Sequence, residues 1–136
     1  MAVIRYSKIT LKGTCLEPEL IDGEQVDGLV DFRFEDIEVG DYVLFTLGGI
    51  KNVKKVFALA SHSFLITEEE LISNNKKIKL GHQVYRRFNN RNNIVPEDTV
   101  IVCSNLNYCR EARVVHRGDI TRLIKRPRGG FIINSS

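Results

Sequence analysis

The chain contains no tryptophan, one methionine, three prolines and three cysteines in 136 residues. Three cysteines cannot all pair within one chain, and the C-x-x-C spacing of zinc and dithiol redox sites is absent. A reducing, cytoplasmic setting is therefore expected. Long apolar runs are missing too, so no stretch approaches the ~18 residues of a membrane-spanning helix. The opening "MAVIRYSKIT" lacks the charged-then-apolar layout of a secretory signal. His62, His82 and His116 stand far apart with no cysteine or histidine at ligand spacing, so neither metal nor another cofactor is expected.

Charge of one sign is scarce overall, with a net value of only +3, but it is unevenly placed. Between Arg110 and Arg128 seven Arg or Lys face only Glu111 and Asp119. Such a stretch can meet phosphates, an anionic membrane surface or an acidic protein, or can simply be a solvated face. Sequence-specific nucleic-acid recognition is not expected, because only Tyr108 and Phe131 flank the basic stretch and no reading helix precedes it.

What is present is a series of short strand signals. "KITLKG" (8–13) alternates polar and apolar residues, "QVDGLVDF" (25–32) is a broken apolar run, and "DYVLFTL" (41–47) is dense enough to be buried. "NVKKVFALA" (52–60) follows Gly48-Gly49, which predicts a hairpin. "SFLIT" (63–67), "KIKLGHQVYRRF" (77–88), "DTVIVCS" (98–104) and "ITRLIK" (120–125) complete the set. Their spacing predicts a mainly β fold with very little helix, either a sandwich or a distorted barrel-like sheet. Short helical turns are expected in "TEEELISNN", with Thr67 as N-cap and Glu70 three residues on, and in "LEPELI". "NNRNN" (89–93) is expected to be an exposed loop. One domain over 1–127 and a loosely held tail over 128–136 follow.

Four segments carry chemistry when taken in order: "GTCLEPELIDGE" (13–24), "VGDYVLF" (39–45), "VKKVFAL" (53–59), and "VPEDTVIVCSN" (95–105) followed by "CREAR" (109–113). Together they resemble the serine–lysine peptidase superfamily of type I signal peptidases and the self-cleaving domains of SOS and phage repressors. The resemblance covers Leu11 to Arg113. It implies that Cys15 stands at the nucleophilic serine, with Gly13, Thr14, Leu16 and Pro18 around it, and that Lys54 is the activating lysine. Lys55 then falls on the neighbouring arginine, and Cys109, Glu111 and Arg113 fall on the S-x-D-S-R motif. A Lys55–Glu111 ion pair is expected to tie the lysine strand to that motif. Two serines of the pattern are cysteines here, and the Gly-Asp before Asn105 has become Cys103-Ser104.

Cysteine changes the chemistry the site needs. A thiol with a reference pKa of about 8.5 can be a thiolate beside a lysine that stays charged, so Cys15 and Lys54 can form an attacking ion pair. The same lysine then protonates the leaving amine. Strand neighbours face opposite ways, so only one of Lys54 and Lys55 can point at Cys15; the motif selects Lys54. The resemblance thus implies an endopeptidase or peptide-processing protein acting on an extended segment added as a strand. The alternative is a silent relative that binds a peptide or protein partner in the same groove. Cys15 can also be an inert core residue, and a third possibility is a redox pair of Cys15 with Cys109.

Overall fold

The computed structural model describes residues 5–13, 16, 20–67, 70–79, 94–105 and 108–125, with backbone alone at 105 and 108–111. Ten strands are found among them: β1 (Tyr6–Thr10), β2 (Gln25–Leu29), β3 (Tyr42–Leu47), β4 (Ile50–Ala58), β5 (Leu65–Ile66), β6 (Glu70–Ser73), β7 (Lys76–Lys79), β8 (Thr99–Asn105), β9 (Tyr108–His116) and β10 (Ile120–Ile124). The protein is mainly β, and the helical elements among the described residues are two single 3-10 turns, Phe34–Asp36 and Arg117–Asp119.

Seven strands form one antiparallel sheet in the order β1-β2-β10-β3-β4-β8-β9, and β5-β6-β7 form a second, small one. The large sheet ends at β1 and β9 and does not close into a barrel. Its central strands are buried on both faces, which explains why "YVLF" and "VIVC" read as continuous apolar runs rather than alternations. On one face Val43, Phe45, Val56, Val100, Val102 and Leu123 pack together. Their chain neighbours turn the other way. Phe57, Ile101 and Cys103 pack beneath the small sheet with Leu71 and Ile78, while Tyr42 and Ile124 pack with Leu11, Leu16 and Leu20.

Turn chemistry fixes the registers. Gly48 and Gly49 have φ of +56° and +80°, so the two-residue loop between β3 and β4 has the left-handed backbone that suits strand twist. Asn74 and Asn75, with φ of 52° and 65°, make the same kind of turn between β6 and β7. The helical turn expected in "TEEELISNN" is thus corrected: Glu70–Ser73 is a strand. Thr67 does accept the Glu70 N–H at 3.0 Å, but that bond closes the turn joining β5 to β6. The Asn-Asn pair supplies a hairpin turn where a helix needs continuing residues. A strand at Tyr108–His116 was not expected from the "CREAR" segment, yet it pairs with β8 along most of its length. Residues 80–88 of the predicted sixth strand, the "NNRNN" loop and the tail lie outside the described residues.

Candidate functional site

The segment after β1 is tied back on itself at several points. The Leu11 N–H donates to the Glu24 carbonyl at 2.9 Å, and the Gly23 N–H to the Leu11 carbonyl at 2.8 Å. The Asp22 carboxylate accepts the Gly13 N–H at 2.8 Å. Gly13 (φ +91°) and Gly23 (φ +87°) both adopt backbone that a side chain disfavours. The Leu20 N–H donates to the Leu16 carbonyl at 3.1 Å; the helical turn expected in "LEPELI" falls on residues 17–19, which lie outside the described residues. The Asp-Gly turn therefore works as a latch. It returns the chain to β2 and holds both ends of the segment that carries residue 15, while Leu16 and Leu20 are buried against Tyr42 and Ile124.

A groove of about 660 Å³ opens beside this latch, bounded by β1, the segment through Gly13, Leu16 and Leu20, and residues 51–54 of β4. Two features make it suited to an extended chain. Among the described residues β1 pairs only with β2, and β8 meets β4 only from Lys55 onward, so β1 and residues 51–54 of β4 are each paired along one edge alone. Gly13 and Leu16, on either side of Thr14-Cys15, line the same groove as Lys54.

Lys54 also lines a smaller pocket of about 260 Å³ with Val102 and Arg113. Its Nζ donates to the Ser104 Oγ at 3.3 Å. Lys55 is buried, with its Nζ 5.7 Å from the centroid of the Tyr42 ring. The two lysines thus part as strand alternation requires: Lys54 lies at the junction of groove and pocket, and Lys55 lies on the side of Tyr42. Thr14, Cys15 and Pro18 lie outside the described residues, as do the side chains of Cys109 and Glu111, whose backbone belongs to β9. Of the site residues expected from sequence, Gly13, Leu16 and Lys54 share the groove, Arg113 joins Lys54 in the pocket, and Lys55 does not line either.

Ser104 and Asp22 stand beside the candidate site and are not among the residues expected there from sequence. Ser104 stands where the family pattern departs, so the motif gave no reason to look there; its signal is the antiparallel register that aligns Lys55 with Cys103 and brings residue 104 beside Lys54. The histidines do other work. His116 Nδ1 accepts the Gly118 N–H at 3.0 Å and caps a 3-10 turn, and His62 Nδ1 lies 2.9 Å from the Asn74 amide nitrogen. His82 is outside the described residues. Among the described residues no group of three or more His, Cys, Asp or Glu can hold a metal ion, and no helix is long and apolar enough to cross a membrane.

In comparisons with known proteins, no protein-family model and no curated protein matches this chain.

Proposed function

We propose that the protein is a signal-peptidase-like peptide-processing domain in which an extended peptide docks in the groove between β1 and β4 and is cut by the Cys15 thiolate with Lys54 as its proton partner. The observation that carries this reading is the convergence on one groove of Lys54 and of Gly13 and Leu16, which bracket the thiol in sequence. The backbone N–H and C=O groups of an incoming strand would find partners along the walls, as in other strand-addition complexes.

The chemistry follows from the residue types. The thiolate attacks the scissile carbonyl carbon and a C–S bond forms. The C–N bond then breaks as the Lys54 ammonium gives a proton to the departing amine, leaving a thioester and a neutral lysine. The neutral Lys54 next takes a proton from water as the water oxygen attacks the thioester carbon; the C–S bond breaks, the acid product leaves, and the Cys15 thiolate and Lys54 ammonium are restored. Ser104, as acceptor for Nζ, holds the lysine in place through these steps.

The test is incubation of the full chain with a library of extended peptides, read by mass spectrometry, alongside Cys15→Ala, Cys15→Ser and Lys54→Met. Cleavage by the parent, lost in Cys15→Ala and Lys54→Met, is expected. Binding without cleavage by any form would overturn the enzymatic step and leave a peptide-docking domain. Absence of both would remove the proposal entirely.

A further inference from the structure

Among the described residues the charged lining of the groove is of one sign: Lys8, Lys12, Lys51, Lys54 and Arg122 line it, and no described aspartate or glutamate does. Lys8 is matched by Asp27 at 2.7 Å. Arg122 donates to the Ser7 Oγ at 2.8 Å and to the Thr121 carbonyl at 2.7 Å, neutral acceptors that orient the guanidinium without cancelling its charge. Among the described residues no carboxylate lies within ion-pair distance of Lys12, Lys51 or Arg122. The smaller pocket has Lys54 and Arg113 among its described lining residues. Between the cations Leu20, Leu44 and Val53 supply apolar surface beside the polar Ser7, Thr10 and Asn52.

A chain with a net charge of only +3 has thus placed Lys12, Lys51 and Arg122, which have no described carboxylate partner, around one concave surface. Like charges held together raise each other's energy, and a partner of opposite sign relieves that repulsion as it docks. We infer that the segment accepted by this groove is acidic: an extended peptide with Asp or Glu side chains facing Lys12, Lys51 and Arg122, and apolar side chains against Leu44 and Val53. This inference rests on the peptide-docking reading and adds the chemical class of the peptide. A nucleic-acid strand is the other polyanion to consider. It is disfavoured because the described lining residues include no aromatic side chain on which bases would stack.

Fluorescence anisotropy with the full chain tests it. The probes are peptides of one length and one apolar pattern, made with Asp/Glu, with Asn/Gln, or with Lys at the polar positions, plus an oligothymidylate of similar length. At low salt the acidic peptide is expected to bind about tenfold or more tightly than its amide counterpart, with the advantage shrinking at about 0.3 M salt as screening sets in. Lys51→Glu combined with Arg122→Gln is expected to remove that advantage while binding of the amide peptide persists. Equal binding of acidic and amide peptides overturns the charge inference and leaves peptide docking standing. Binding of no peptide overturns docking and the inference with it, and tighter binding of the oligothymidylate than of the acidic peptide assigns the groove to a different polyanion.

Discussion

The Lys54 ammonium donates to the Ser104 hydroxyl across the β4–β8 pair at 3.3 Å, although fifty residues separate them in sequence. The bond places the amine at the junction of the groove and the Arg113 pocket, and in the proposed reaction it would give Ser104 a positioning role. Replacing Lys54 by Met is expected to lower kcat on an extended peptide by about a hundredfold or more, the usual scale for removing a positioned proton donor. Ser104→Ala should lower kcat only several-fold, roughly the worth of one hydrogen bond, with KM unchanged, and Ser104→Thr should restore it. Lys55→Met is expected to leave kcat alone and to alter the melting temperature, because it removes the contact with Tyr42. Loss of cleavage in Lys55→Met but not in Lys54→Met would move the reacting amine to the neighbouring position.

Cys103 is fully buried beneath the small sheet, against Phe57, Ile101 and Ala112. A thiol packed in that way is inert until the strand opens. Alkylation of the native protein, followed by peptide mapping, is expected to leave Cys103 unmodified, and the same treatment in denaturant should label it fully. Labelling of Cys103 at the rate of a free thiol under native conditions would show that the packing between the two sheets is not maintained in solution.

The strands were legible where their residues leave no alternative. "DYVLFTL" and "DTVIVCS" are apolar on both faces because both faces are covered, and Gly48-Gly49 admits a tight hairpin that few other pairs allow. "TEEELISNN" reads as helix because glutamates and leucine favour one locally, yet Glu70–Ser73 is a strand. The left-handed backbone of Asn74 and Asn75, which decides for a hairpin, is a tertiary outcome those residues merely permit. The site was legible only in part. Lys54 could be chosen from its motif, whereas Ser104 and the ring of cations depend on register and sheet curvature that bring Lys8, Lys51 and Arg122 together from three strands.

Gly28 lies in β2 directly behind the groove. A Cβ at that position would come within 2.5 Å of Ile9 Cδ1 and 3.1 Å of Arg122 Cβ, side chains that both line the groove. Gly28→Ala is therefore expected to destabilise the protein by roughly 1–3 kcal/mol, the range for overpacking a filled site. Adding Ile9→Val shortens the nearer neighbour and should recover part of the loss, so urea denaturation of the two single variants and the pair should give a favourable coupling. Purely additive effects would mean that Ile9 does not press on Gly28.

Asp41 joins β3 to β10 through a carboxylate whose side chain is only 2% exposed. It accepts the Glu38 N–H at 2.9 Å and the Lys125 ammonium at 2.7 Å, so Asp41→Ala is expected to cost about 3 kcal/mol by stranding both donors. Burial by itself pulls the Lys125 pKa down, but hydrogen bonds to Asp41 and Glu38 together with their charges outweigh it and hold the ammonium above the ordinary lysine value. Because the folded-state value is raised, the stabilisation is fully present below the unfolded lysine pKa of about 10.4 and is lost as pH rises through the folded value. Thermal melts across pH 9 to pH 12 should therefore show the parent losing stability faster than Lys125→Met, whose own decline reports the other titrating groups. Parallel curves for the two proteins would show that the Lys125 charge contributes nothing to holding β10 against β3.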